Sequence, residues 1–331
     1  MDSHIGYNPR FLGRAYYLPL PKLSASQKQD MIKYEGKKYK LDYIHYSVVM
    51  CKSRRLAYFT AVNIDGSCWQ NNSREGSWKE EKRIANHEQL GNKLYRAEQS
   101  KFDKGHLVRR EDPEWGDKEI SLKAGAQTFI FTNCAPQHEK LNRDIWADLE
   151  ANILHTGADT LNVKVCVFTG PILAPTDGSF ITPLDNHYIQ IPNLFWKVVV
   201  WKKSDNKSYA VGFVQSQESF LIEDGIIRKP LTVNSKLLCK MTDDDFFEHI
   251  RFKDGQTYQV RLEEIEKLSG LKFDWKDLKR PFSQNPIAIH GIKRSSPVNE
   301  IPAKILRQDP QSNDVCVVRW NPVYQLEGLV I

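Results

Sequence analysis

The residues that could do chemistry lie in two stretches. "DKGH" runs from Asp103 to His106, and the charged "LVRRED" follows it. By itself His106 is open to three readings: a solvated loop residue, a metal ligand or a general base. Further along, "TNCAPQ" places Asn133 at the end of an apolar run. "LNRDIWADLE" then carries Asn142, Trp146 and Glu150 on or beside one helix. The cations Arg109, Arg110 and Arg143 are close by in sequence.

On a helix of 3.6 residues per turn, Asn142 and Glu150 stand about 80° apart and about 12 Å apart along the axis. Both can border one side of a cleft, yet they cannot both touch one ion without help from water. An amide with a distant carboxylate excludes a dehydrated zinc site. It suits Mg²⁺, which is hard, prefers oxygen and keeps several waters. The carboxylate would hold those waters from a second shell. A neutral imidazole beside such an ion can take a proton from water near neutral pH. The activated water would attack phosphorus. Gly105 gives the turn before His106 freedom to aim the ring.

Each residue also has an ordinary reading. Asn142 suits a helix start, Glu150 a solvated helical charge and Asn133 a strand-ending turn. Trp146 suits core packing, and Arg109 and Arg110 suit a plain surface. His106 together with Asn142 and Glu150 favours the chemical reading. Cys134 and His138 would make a thiol and its base, but nothing else supports that pair.

The elements around these residues read as mixed α and β. Residues 1–40 look irregular and proline-punctuated. "YSVVM" and "LAYFTAVNI" read as strands joined by the basic turn "CKSRR". Residues 70–100 look loop-like, with a short helix around "NHEQLGNKLYRAEQ". "AQTFIFTNCAP" reads as a central strand. "HEKLNRDIWADLEANILHTGA" reads as a helix on which Leu141, Ile145, Leu149, Ile153 and Leu154 recur. "LNVKVCVFTGPIL", "NLFWKVVVWKK" and "SYAVGFVQSQESF" read as strands. "QVRLEEIEKLSGLKF" reads as an amphipathic helix stopping at Gly270. From about Lys279 the tail is richer in proline and serine, and it closes on the strand-like "VCVVRWNPVYQLEGLVI".

The chain has 331 residues, 40% of them hydrophobic, which is ample for a buried core. The net charge of +6 favours polyanionic partners. There is no apolar run of about 18 residues, so no membrane-spanning helix is expected. The start lacks a secretory pattern. The six cysteines are scattered without CxxC pairs, which fits reduced thiols in a cytoplasmic protein and gives no zinc cluster.

"DKGHLVRRED" followed by "FTNCAPQHEKLNRDIWADLE" resembles the DNA/RNA non-specific endonucleases. These are ββα-metal nucleases related to mitochondrial endonuclease G. The resemblance covers roughly residues 6–280. It implies an α+β fold, with a central, mostly antiparallel sheet flanked by helices and long loops. The expected organisation is a nuclease domain over 1–280 and a C-terminal extension over 281–331. The family would use Mg²⁺, with Mn²⁺ able to substitute, to cut DNA and RNA to 5′-phosphate and 3′-hydroxyl ends. By position, His106 would be the general base and Asn142 the metal ligand. Glu150 would organise metal-bound water near the leaving group. Asn133 would support the site by hydrogen bonding, with substrate as one partner. Asp103 would hold the turn that carries His106. Arg74, in "SREGSW", is the match for a phosphate-contacting arginine, and Lys104, Arg109 and Arg143 are further substrate contacts. Lys104 stands where the family has arginine; it keeps the charge but loses the bidentate fork, which implies weaker phosphate clamping. That change leaves room for a different reading, a nuclease fold that binds nucleic acid or protein without cutting. Without an export signal, control by an inhibitor, a sensor or oligomerisation is expected, with the tail after Lys279 as contact region.

Overall fold

The computed structural model describes residues 5–159, 162–202, 206–228, 257–275, 278–279 and 287–289. In chain order its strands are β1 (Lys40–Tyr43), β2 (Tyr46–Cys51), β3 (Leu56–Asp65), β4 (Phe102–His106), β5 (Cys134–His138), β6 (Lys164–Ile172), β7 (Ser179–Phe180), β8 (Leu194–Lys202), β9 (Ser208–Ser216), β10 (Ile227–Arg228), β11 (Thr257–Val260), β12 (Leu278–Lys279) and β13 (Ile287–Ile289). Nine of them form one sheet in the order β1-β2-β3-β6-β8-β9-β11-β13, with β12 also pairing with β9. Every pair in it is antiparallel except β12 with β9. This is the expected mostly antiparallel sheet. Helices α1 (Ala25–Gln29), α2 (Asn92–Tyr95), α3 (Lys118–Gln127), α4 (Trp146–Ala151), α5 (Glu218–Glu223) and α6 (Leu262–Ser269) surround it.

The sheet separates two apolar cores, because alternate strand residues face opposite sides. Along β8, Trp196, Val198 and Val200 face the core that holds Phe273, Trp275 and residues of α6. Phe195 and Val199 face the other core, with Trp146, Leu149, Ile153 and Leu154. Leu107, Val108 and Ala135 join this second core. It therefore welds the β4–β5 ribbon and the helix after it to one face of the sheet. Two strands and a helix mounted together on a sheet are the ββα unit.

Three elements differ from the sequence expectation. "AQTFIFTNCAP" is not a central strand. Ala126 and Gln127 close α3, Phe131–Asn133 is a 3₁₀ turn, and only Cys134–His138 is extended, paired with β4 outside the main sheet. A short apolar run signals burial, and periodicity alone does not separate a strand from a buried turn. The helix expected from His138 starts later, because His138 lies opposite Phe102 in the ribbon. Nor is it uniform, since π-helical turns at Leu141–Ile145 and Asn152–Asp159 flank α4. Within the irregular first 40 residues, a capping box between Ser24 and Gln27 starts the short α1.

Other expectations match. The "CKSRR" turn joins β2 to β3, and Gly270 ends α6 in the left-handed conformation at φ 69°. Cys51, Cys134 and Cys166 are buried, Cys68 is half-buried, and none of the four is in a disulfide. No helix among the described residues is long and apolar enough to cross a membrane. Past residue 280, Ile287–Ile289 pairs with β11 and so extends the sheet; "VCVVRWNPVYQLEGLVI" lies outside the described residues.

Candidate active site

The β4–β5 ribbon sets the frame. His106 lies opposite Cys134, Gly105 opposite Ala135 and Asp103 opposite Gln137. Gly105 does not supply the turn freedom expected of it. It sits in extended strand, where a Cβ would stand 2.1 Å from Gln137 Oε1. Glycine is needed there because the buried Gln137 side chain crosses directly over the backbone.

His106 ends β4. Its ring packs against Trp78 at 4.6 Å and Phe129 at 4.9 Å between centroids. Its Nε2 is buried and has no hydrogen-bond partner among the described residues. Burial, with the positive fields of Arg74 and Arg110, pushes the imidazole down to about 3. A ring held this way is neutral at ordinary pH and, in this resting state, resists protonation.

Asn133 holds the next two residues in place. Its Oδ1 accepts from the Val108 N–H at 2.9 Å, and its Nδ2 donates to Val108 O at 2.9 Å and Thr128 O at 3.1 Å. It is fully buried. Both ends of the amide are spent on backbone, which leaves no surface for substrate. Its place is in the scaffold behind His106, so the expected substrate contact is not available to it.

A second group assembles at the other end of β4. Asn142 Nδ2 donates to Asp103 Oδ2 at 3.0 Å. The Arg143 Nε and Nη2 atoms donate to the two Asp103 oxygens, each at 2.9 Å, and its Nη1 lies 3.2 Å from Glu139 Oε2. Asp103 thus anchors the start of the helical segment to the ribbon. It also fixes the Asn142 amide with its nitrogen inward, leaving Oδ1 for a cation. Asp103 and His106 are three residues apart, about 10 Å of extended strand.

A third group lies deeper. Glu150 does not border the open cleft as an exposed carboxylate; it is 9% exposed. Its Oε1 accepts from Lys197 Nζ of β8 at 3.1 Å. Asp112 is also buried, and its carboxylate accepts the Arg109 backbone N–H at 3.1 Å. Burial, reinforced by Glu150 and opposed by Lys197 and Arg109, pushes the Asp112 carboxyl up to about 7.

The cations divide by partner. Arg74 is exposed, stacks over Phe129 at 5.6 Å and has no carboxylate partner among the described residues. Lys104 Nζ sits over the rings of Phe131 at 5.8 Å and Tyr95 at 5.9 Å. Arg109 pairs with Glu111, while Arg110 pairs with Glu111 and Glu114. Arg143 in turn pairs with Asp103 and Glu139, so each of these three arginines already has a carboxylate beside it.

The Cys134–His138 alternative finds no support. Burial pushes the Cys134 thiol up to about 12, so it is not a thiolate. The His138 Nε2 is engaged by Asp224 at 2.7 Å. Trp146 is 1% exposed, which fits the core reading. Four contributors were not singled out from sequence: Trp78, Gln137, Asp112 and Lys197. Lys197 alone had a visible signal, a lysine among apolar residues in "LFWKVVV".

Among the described residues no three His, Cys, Asp or Glu side chains gather to chelate an ion. The donor set that remains is one anchored amide oxygen. That fits a hard, largely hydrated ion such as Mg²⁺ and does not fit a dehydrated soft one.

Residues 24–279 match the family model described as DNA/RNA non-specific endonuclease. The chain belongs to this family. A Sinorhizobium fredii protein named "Uncharacterized protein y4fB" is 33% identical over 82% of this chain and 39% of its own length. Human mitochondrial endonuclease G is 31% identical over 38% of this chain and 42% of its own. Nuclease C1 of Cunninghamella echinulata var. echinulata is 30% identical over 53% of this chain and 57% of its own. The chain thus spans well under two thirds of the length of these relatives. Among solved structures, the EndoG/EndoGI complex, described there as the mechanism of EndoG inhibition, contains a similar chain. It has a TM-score of 0.51 and 21% identity, covering 75% of this chain and 91% of that one. The endonuclease family and its ββα-metal fold therefore match the resemblance in the motifs.

Proposed function

We propose that this chain is a Mg²⁺-dependent endonuclease that hydrolyses phosphodiester bonds in DNA and RNA. The observation that carries this reading is the pair of ends left open along β4. The Asn142 amide is pinned through its nitrogen to Asp103, and the His106 Nε2 has no hydrogen-bond partner among the described residues.

Asn142 Oδ1 would hold the ion, and Mn²⁺ meets the same requirements. When bound, the ion supplies charge neutralisation for the non-bridging and leaving oxygens of the phosphodiester. The rest of the chemistry belongs to the chain. Neutral His106 accepts a proton at Nε2 from the attacking water. The water oxygen bonds to phosphorus, the P–O3′ bond breaks, and the 3′ oxygen leaves as a hydroxyl after taking up a proton. Arg74, beside Phe129, meets the phosphate. That anion offsets the cationic field on His106 and raises the basicity of the ring from its low resting value. Phosphate recognition of this kind reads little base sequence.

Regulation by a protein inhibitor is part of the proposal, with residues 281–331 as the contact region. A structural neighbour, EndoG, was solved in a complex that concerns its inhibition. Plasmid nicking with Mg²⁺ and with a chelator tests the activity. Nicking should need the metal, and His106→Ala should lower it by about 10²–10⁴-fold. No nicking under any metal condition would instead favour the reading of a binding module on a nuclease fold.

A further inference from the structure

We infer that Lys197 is a positioning residue, which holds the Glu150 carboxylate aimed at the site from the centre of the sheet; this rests on the role proposed for Glu150 within the nuclease reading.

Lys197 has no reason to be a lysine for packing. Its side chain is 1% exposed, and lysines are almost never fully buried unless paired. On its face of β8 the neighbours two residues away are Phe195 and Val199, both buried in the apolar core. β8 is flanked by β6 and β9, so the ammonium cannot reach water by extending past an edge. Desolvating it is expensive, and an apolar residue there would avoid the cost.

Three neighbours receive the ammonium instead. Glu150 Oε1 lies at 3.1 Å, Thr169 Oγ1 at 3.1 Å and the Trp146 ring at 4.8 Å. Thr169 is the direct cross-strand partner of Lys197 on β6. The sheet register itself therefore sets the direction of the ammonium. Trp146 lies one helical turn before Glu150, so the same contact clamps α4 above β8. Glu150 Oε1 is spent on this bond and Oε2 is left for water at the site.

Asp112 completes the group from the loop after β4. The Lys197 ammonium and the Glu150 carboxylate both act on buried Asp112 through their charge, while the hydrogen bond of Lys197 goes to Glu150.

The test compares E150Q, K197M, K197R and K197M/E150Q in kcat and KM on plasmid DNA. K197M is expected to lower kcat about 10–100-fold, as loss of an outer-shell partner does, with KM for DNA unchanged and part of the loss restored in K197R. On the E150Q background, K197M is expected to cost nothing further. A second readout needs no metal: on a D112N background, which removes the other buried carboxyl, K197M should show in the infrared at neutral pH a protonated-carboxyl band that K197M/E150Q lacks. If K197M does not fold, T169V takes its place, because it keeps the charge and removes the second acceptor. It should lower kcat in the wild type and leave E150Q unaffected. Full multiplication of the K197M and E150Q losses, a loss that falls on KM, or wild-type kcat in T169V overturns the inference. Wild-type activity in E150Q would instead overturn the role of Glu150 within the nuclease reading.

Discussion

Asp103 and Asn142 are joined by a hydrogen bond of 3.0 Å, and it runs from the amide nitrogen to the carboxylate. The direction matters. A carboxylate accepts and cannot donate, so it selects one of the two flips of the amide. It turns the oxygen, the end a hard cation binds, away from itself.

Asp103→Ala should therefore act on metal affinity before it acts on DNA binding. The Mg²⁺ concentration for half-maximal nicking should rise about 10–100-fold, as when an outer-shell partner of a metal ligand is lost. Asn142→Ala should abolish the Mg²⁺ response altogether. A Mg²⁺ titration of each variant checks this, and an unchanged midpoint in Asp103→Ala would show that the amide does not need its anchor.

The depressed His106 makes a statement about stability. The folded ring titrates near 3, against about 6.5 in an unfolded chain. Between those values the unfolded chain binds a proton that the native state refuses, so stability rises with pH there. The contribution is present in full above about 6.5 and is lost as pH falls toward 3. His106→Gln should flatten this dependence. Urea unfolding at pH 7 and at pH 5 measures it, and an equal pH slope in both proteins would refute the buried neutral ring.

Arg74 and Lys104 should contribute through charge. Arg74→Ala should weaken binding to all DNA sequences alike and lower the salt slope of log K by about 1. Lys104→Arg restores the planar fork found in the family and should tighten binding at equal charge. Affinity measured across a salt series separates the two effects.

Asn133 should behave as scaffold. Asn133→Leu strands the Val108 N–H and two backbone carbonyls in the core, where each unsatisfied group costs about 1–3 kcal/mol. Loss of activity in this variant should track loss of folded protein in a thermal melt. A fully stable but inactive Asn133→Leu would return this residue to direct contact with substrate.

Asp112→Asn should gain stability relative to wild type as pH rises. The native carboxyl titrates near 7 and the unfolded one near 3.9. Wild type therefore loses stability across that window, while the amide does not. Thermal melts at pH 5 and pH 8 read the difference, which should be larger at pH 8.

Much of this was legible in the chain. Local chemistry named the strands β2, β3, β6, β8 and β9, because β-branched and aromatic residues fill them. It placed the stop of α6 at Gly270, because only a left-handed cap suits that point. The spacing of "DKGH", Asn142 and Glu150 pointed to a nuclease site, since each residue type has narrow chemical use. What the chain could not show was who pairs with whom. Asn133 faces backbone because of how the 3₁₀ turn lies against Val108. Glu150 is buried against Lys197 because α4 settles over β8, far away in sequence. Gly105 makes room for Gln137, a requirement that exists only once two strands are in register. Residue type and spacing fix which groups are available. Long-range packing fixes which hydrogen bonds each group has already spent, and so which remain free to do chemistry.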